Sequence, residues 1–214
     1  MAITTEQLRR AFAAMPLGAV PGQPGVVEVV DEPVPPEIRQ RLDAGRRPAA
    51  VLVPILQAAP DAPLRLLLTQ RTAHLRDHAG QISFPGGGLD QGEGAIAGAL
   101  REAWEEIGLP PERVDPFGQM PQYLTGTGFT VSPVLGFVQT PVVLTPQADE
   151  VAEIFEVPLD FVLDPRNFRQ ETRFYRGAWR SFKAVPWGGR YIWGATAGML
   201  AQLASIVHRT SEHA

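Results

Sequence analysis

The 214-residue chain contains no cysteine. Disulfide bracing, thiolate catalysis and cysteine zinc sites are therefore excluded, and the cytoplasm is the expected compartment. A basic surplus is also missing. Nineteen Lys and Arg stand against 23 Asp and Glu, for a net charge of −4, so neither nucleic acid nor an anionic membrane surface is expected as a partner. No apolar run approaches the roughly 20 residues of a membrane span. The opening MAITTEQLRRAFAAM does not read as a secretory signal, and Glu6 and the short length argue against an organellar presequence. There is no internal repeat and no low-complexity tract.

The chain is long enough for one domain with a sizeable core. Leu8, Phe12 and Met15 recur at helical spacing, and Thr4 followed by Gln7 has the form of a capping box. Residues 16 to 36 are rich in proline and glycine and read as a linker or surface-hugging loop. We accordingly divide the chain into an N-terminal helix and extension, 1–45, and a main domain, 46–214. PEIRQRLDAGRR reads as a short helix. AAVLVPILQ and LRLLLTQR read as strands joined by the turn APDAP, and VSPVLGFVQ and EVAEIFEV as two more. RFYRGAWRSFKAV predicts a strand pair, and YIWGATAGMLAQLASIVHR a strand leading into a helix. Strands and helices mix without regular alternation, which favours an α+β or α/β/α sandwich over a doubly wound sheet.

The segment GALREAWEEIGL, 98 to 109, concentrates charge. On a helix, Glu102, Glu105 and Glu106 fall within roughly a 100° arc, with Ile96, Leu100, Ala103 and Ile107 on the other side and Trp104 at the margin. A solvated acidic face is the simple explanation. It is disfavoured because Glu102 and Glu106 are a like pair at i,i+4 and acids near a helix C-terminus oppose the macrodipole. Arg101 can pair with Glu105 but leaves two charges uncompensated. A hard divalent cation resolves that repulsion, since Mg²⁺ takes one or two carboxylates together with substrate phosphate oxygens. The preceding loop, FPGGGLDQGEG, delivers Glu93 to the helix start, two turns from Arg101. It is not a Walker loop, since no Gly-Lys-Ser/Thr follows, and it lacks the dinucleotide fingerprint.

Together these residues resemble the Nudix box, Gly-x5-Glu-x7-Arg-Glu-U-x-Glu-Glu-x-Gly-U, with U hydrophobic. Gly87, Glu93, Arg101, Glu102, Glu105, Glu106, Gly108 and Leu109 match, and Ala103 is a small residue at the first U. The resemblance implies an α+β fold, the Nudix-type α/β/α sandwich with a mixed β-sheet. It also implies hydrolysis of nucleoside diphosphates linked to a further group, with Mg²⁺ or Mn²⁺ on the box glutamates.

Residues 67 to 87, LLTQRTAHLRDHAGQISFPGG, resemble the signature of the coenzyme A pyrophosphatase branch of that family. Leu67, Leu68, Thr69, Arg71, Arg76, Gly80, Phe84, Pro85, Gly86 and Gly87 match, and Thr72 stands where Ser or Ala is usual. The implied reaction is attack of water on the diphosphate of coenzyme A, giving 3′,5′-ADP and 4′-phosphopantetheine. Glu102 and Glu106 are the first expected metal ligands. Glu105 is either a third ligand or the residue that connects Arg101 to the cluster. Arg101, Glu102, Glu105 and Glu150 form the expected catalytic set, with the general base left open between a box glutamate and Glu150. Arg71, Arg76, Gly86 and Gly87 are expected to bind substrate, the arginines through bidentate phosphate contacts. His74 and His78 are weaker candidates. The rival readings are a Nudix enzyme acting on ADP-ribose or another nucleoside diphosphate derivative, and a non-catalytic Nudix-fold sensor. A small-molecule substrate is the expected partner, and a homodimer is left open.

Overall fold

The computed structural model describes residues 3–13, 28–29, 45–59, 62–74, 79–175 and 178–211. The elements in chain order are α1 (Thr5–Phe12), β1 (Glu28–Val29), β2 (Arg47–Leu56), β3 (Arg65–Arg71), β4 (Ile82–Ser83), β5 (Gly86–Gly88), α2 (Ala95–Ile107), β6 (Val114–Gln119), β7 (Tyr123–Leu124), β8 (Phe129–Val138), β9 (Val151–Pro158), α3 (Leu159–Leu163), β10 (Arg169–Tyr175), β11 (Ala178–Trp187), β12 (Arg190–Trp193) and α4 (Ala195–Ser211).

The two long apolar segments lie side by side. Strands β2 and β8 pair in parallel from Arg47↔Phe129 to Leu56↔Val138. They are covered on both faces, as their near-continuous apolar runs require. The sheet runs β1-β7-β8-β2-β3-β4, with β5 also on β2, β6 on β8 and β9 on β3. Most pairs are antiparallel, but β1·β7 and β2·β8 are parallel, so the sheet is mixed. One face carries α2, whose Ala95, Ala99, Ala103 and Ile107 pack on Ala50, Leu52 and Val134. The other face carries α1 and α4 over Val53, Ile55, Leu66 and Leu68. This is the α/β/α sandwich of the α+β class. A separate antiparallel sheet, β10-β11-β12, continues the chain into α4.

Several expectations change on this frame. The capping box at Thr4 and Gln7 forms as the spacing predicts. Helix α1 does not stand apart, however, because Leu8 and Phe12 are buried in the main core, each worth roughly 1.5–3 kcal/mol. The extension also lends β1 to the sheet, parallel to β7. Met15 and most of the helix expected at 36–47 lie outside the described residues, and Arg47 opens β2 instead. The glycine-rich loop contains a strand, since Gly86–Gly88 pair with Ala49–Val51. A Cβ at Gly86 would come within 2.6 Å of Val51 Cα. The glycines are thus needed for close backbone approach as much as for a turn.

Helix α2 ends at Gly108, which adopts φ 64°. Its N–H donates to Trp104 O at 2.9 Å, and that of Leu109 to Ala103 O at 3.3 Å, closing the last carbonyls in a left-handed cap. The loop that follows β8 is tied to the same end. Thr145 N–H donates to Ile107 O and Gln147 N–H to Glu106 O, at 2.9 and 2.8 Å. This brings Glu150 toward the carboxylates of α2.

Candidate active site

Midway along α2, Arg101 organises the acids. Its Nε and Nη2 donate to the two oxygens of Glu93, both at 2.9 Å. Nη1 donates to Glu102 at 2.9 Å and to Glu105 at 3.1 Å. Nη2 also donates to the Gly88 carbonyl at 3.0 Å, fastening β5 to the helix. Glu93 in turn accepts the Asp90 N–H at 3.0 Å. The Arg101 hydrogen bonds hold the Glu93 carboxyl below its ordinary range, against the opposing effect of burial. They also raise the guanidinium's own affinity for its proton. The Glu93–Arg101 clasp across the loop matches the spacing in sequence. The Asp90 and Gly88 backbone contacts carry no side-chain signature and were missed.

Further along the helix the arrangement loosens. Glu106 is 5% exposed. Its Oε2 accepts the Gly86 N–H at 3.2 Å, and Arg71 Nη1 lies 3.6 Å from its Oε1. Burial pushes the carboxyl up to about 7. The Gly86 N–H and Arg71 oppose this, and Glu102 and Glu150 add to it. Glu102 is raised in the same direction, first by burial and then by Glu105 and Glu150, against its hydrogen bond to Arg101. Its carboxylate fills the space beside Gly87, where an added Cβ would stand 2.5 Å from Oε2. Arg71 Nε is buried without a hydrogen-bond partner among the described residues.

The wheel drawn from sequence placed the glutamates opposite the core, and the structure corrects this for Glu106. The packed stripe is Ala95, Ala99, Ala103 and Ile107, because small residues let α2 approach the sheet closely. Ile96 and Leu100 are only partly buried, and Trp104 is 53% exposed. Glu106 falls inside the buried arc. Glu102 sits at its edge and Glu105 in solvent.

Among the described residues no group of three acidic or histidine side chains stands within common reach of a metal ion. The reason is visible in Arg101, which draws Glu102 and Glu105 to itself. Glu105 accepts from Arg101 Nη1 at 3.1 Å, which ties it to the cluster. Glu102 and Glu106 still fit a hard cation. They are oxygen donors, partly or wholly removed from water, with raised proton affinity and a glycine cradle beside Glu102. Glu150 lies on an exposed turn pinned by its N–H to Gln147 O at 3.0 Å. It is close enough to raise the proton affinity of both Glu102 and Glu106. Thr72 anchors this turn, through its N–H to Glu150 O at 2.9 Å and its hydroxyl to Asp149 O at 3.0 Å. Gly86 gives its N–H to Glu106 and Gly87 its open space to Glu102. Arg76 and His78 lie outside the described residues.

The sequence family follows from the same residues. A model of the NUDIX domain matches residues 45–187, and the chain belongs to the Nudix family of hydrolases, enzymes of pyrophosphate bonds. A protein named Uncharacterized Nudix hydrolase NudL from Citrobacter koseri is 42% identical over 74% of this chain and 82% of its own length. Its namesake from Escherichia coli strain K12 is 41% identical over 74% and 81%. Among solved structures, a MutT protein from Methanosarcina mazei Go1 is 18% identical, covering 78% of this chain and 94% of its own, with a TM-score of 0.45. No described helix is long and apolar enough to cross a membrane.

Proposed function

We propose that this enzyme hydrolyses the diphosphate bond of coenzyme A or a close derivative, releasing 3′,5′-ADP and 4′-phosphopantetheine or its acylated form. The observation that carries the reading is the position of Arg71. It belongs to the stretch LLTQRTAHLRDHAGQISFPGG, which resembles the coenzyme A branch, and it stands beside the most buried box glutamate with Nε unpartnered. Nε is enclosed, but the side chain is 26% exposed, so its outer nitrogens offer planar donors to diphosphate oxygens. Arg76 is assigned the same task.

Glu102 and Glu106 would hold a divalent ion, Mg²⁺ or Mn²⁺. Such an ion lowers the pKa of a bound water and neutralises diphosphate charge. Arg101 orients Glu102 by the 2.9 Å hydrogen bond and keeps Glu105 near the reacting end. Glu105 or Glu150 takes the proton from the attacking water. Arg71 steadies the charge that develops on the phosphoryl oxygens, where positioning and electrostatics dominate. The reading includes a cytoplasmic enzyme with a small-molecule substrate and leaves a homodimer open.

The test is hydrolysis of coenzyme A, ADP-ribose and a nucleoside triphosphate by purified protein with Mg²⁺ or Mn²⁺. Faster release of 3′,5′-ADP than of any product from the other substrates is the expected result. A preference for ADP-ribose would keep the metal helix and discard the coenzyme A assignment. No metal-dependent hydrolysis of any substrate would return the chain to a non-catalytic sensor.

A further inference from the structure

Beyond the glutamates, the same end of the sheet carries a second charged feature. Arg47 opens β2 and pairs across to Phe129. Its guanidinium carbon lies 4.1 Å from the Phe129 ring centroid. Arg46 and Arg47 are exposed, and neither has a carboxylate partner among the described residues. Other arginines at the site, Arg71 and Arg101, do have one. The turn beside Arg47 is built from hydroxyls. Thr125 Oγ1 lies 3.0 Å from Thr127 Oγ1 and accepts the Phe129 N–H at 3.0 Å. Arg47 N–H donates to Gly128 O at 3.2 Å, joining the turn to β2. Gly126 and Thr127 face solvent.

The register relates this patch to the catalytic carboxylates. Gly88 pairs with Ala49 and Gly87 with Ala50, so Arg47 lies about 10 Å along the strand from the residue opposite Gly87. Phe129 packs toward the face opposite α2. Beside the carboxylates runs β5, three glycines that add no side chain of their own, with Arg101 on the Gly88 carbonyl and Glu102 beside Gly87.

We infer that Arg46, Arg47 and the Thr125–Gly128 turn form an anion subsite for a phosphate monoester remote from the scissile diphosphate, with the Arg47–Phe129 pair offering a flat surface to an adjoining base. This rests on the proposed function and sharpens it. The subsite distinguishes nucleotides that carry a second, terminal phosphate from those that lack it. In coenzyme A that group is the 3′-phosphate.

Calorimetric titration of the full-length protein with 3′,5′-ADP and with 5′-AMP, in Mg²⁺, tests the subsite without turnover. The wild type should bind 3′,5′-ADP at least about tenfold more tightly than 5′-AMP, as expected for hydrogen bonds to a charged group. Arg47→Gln should erase most of that ratio, and Arg46→Gln part of it. Arg47→Lys should restore the charge-dependent share but not the stacked geometry. Equal affinity for both nucleotides in the wild type, or an unchanged ratio in folded Arg47→Gln, overturns the inference. If coenzyme A is not hydrolysed while the binding ratio behaves as stated, the proposed function fails and the subsite stands. If coenzyme A is hydrolysed with no such ratio, the subsite fails alone.

Discussion

Two arginines serve the same acidic helix and could hardly be used more differently. Arg101 spends its guanidinium on Glu93, Glu102, Glu105 and the Gly88 carbonyl. Among the described residues Arg71 has one long approach to Glu106 and a buried Nε with no partner. The first is saturated by the protein and fixes the loop, the helix and the strand in one arrangement. The second is held in place but left chemically available. A charged side chain in a site is informative about ligands only after its protein partners have been counted.

Arg101→Gln should give the largest effect. It strands Glu93, whose side chain is only 14% exposed, and should cost about 3 kcal/mol in urea unfolding, as for a broken partly buried pair. Arg71→Gln removes only a 3.6 Å approach to a carboxyl already pushed up to about 7, which a proton can neutralise, so unfolding should stay within about 1 kcal/mol of wild type while hydrolysis falls about 100-fold, as for loss of one transition-state donor. Equal stability losses in the two variants would erase the distinction.

Two adjacent glycines sharpen it on a smaller scale. A Cβ at Gly86 meets the backbone of β2, and one at Gly87 meets the Glu102 carboxylate. Gly86→Ala should therefore destabilise by about 1–3 kcal/mol. Gly87→Ala should chiefly weaken Mn²⁺ binding, by about tenfold, because a side-chain end can move where backbone cannot. Denaturation curves and metal titrations on both variants separate the two outcomes.

The last effect concerns pH. Glu106 is raised from 4.5 to about 7, so between those values the folded state binds more protons than the unfolded one. The metal-free protein should lose stability as pH rises through this window and recover it in acid, with Glu106→Gln flattening the slope. Metal competes with the same proton. Mn²⁺ affinity should climb by up to about tenfold per pH unit below 7 and level off above it. An affinity independent of pH from 5 to 8 would contradict the position given to Glu106.

Much of this was legible in sequence because the segments concerned obey one local rule. Apolar runs announced β2, β3, β8 and β9, and the glutamate-rich segment announced α2. The eight-residue spacing of Glu93 and Arg101 foretold their contact. What escaped depended on tertiary fit. The segment VDPFGQ carries proline and glycine yet forms β6, and three glycines read as a turn pair as β5. Burial of Glu106 followed from an alanine stripe that rotated the packed arc of α2. Helical spacing alone assigned that arc to larger residues. The docking of α1 needed the Phe117 ring, which Phe12 meets edge-on and which no local pattern in the first fifteen residues describes.

The central claim is that Glu102 and Glu106 hold the divalent ion, with Arg101 and Arg71 in supporting roles. Titration of Mn²⁺ into wild type, Glu106→Gln and Arg71→Gln at pH 8, followed by electron paramagnetic resonance, tests it most directly. The account predicts a site in the wild type that Arg71→Gln retains and that Glu106→Gln weakens by more than the roughly 10–100-fold typical of an outer-shell change. Undiminished Mn²⁺ binding in a folded Glu106→Gln protein would contradict it.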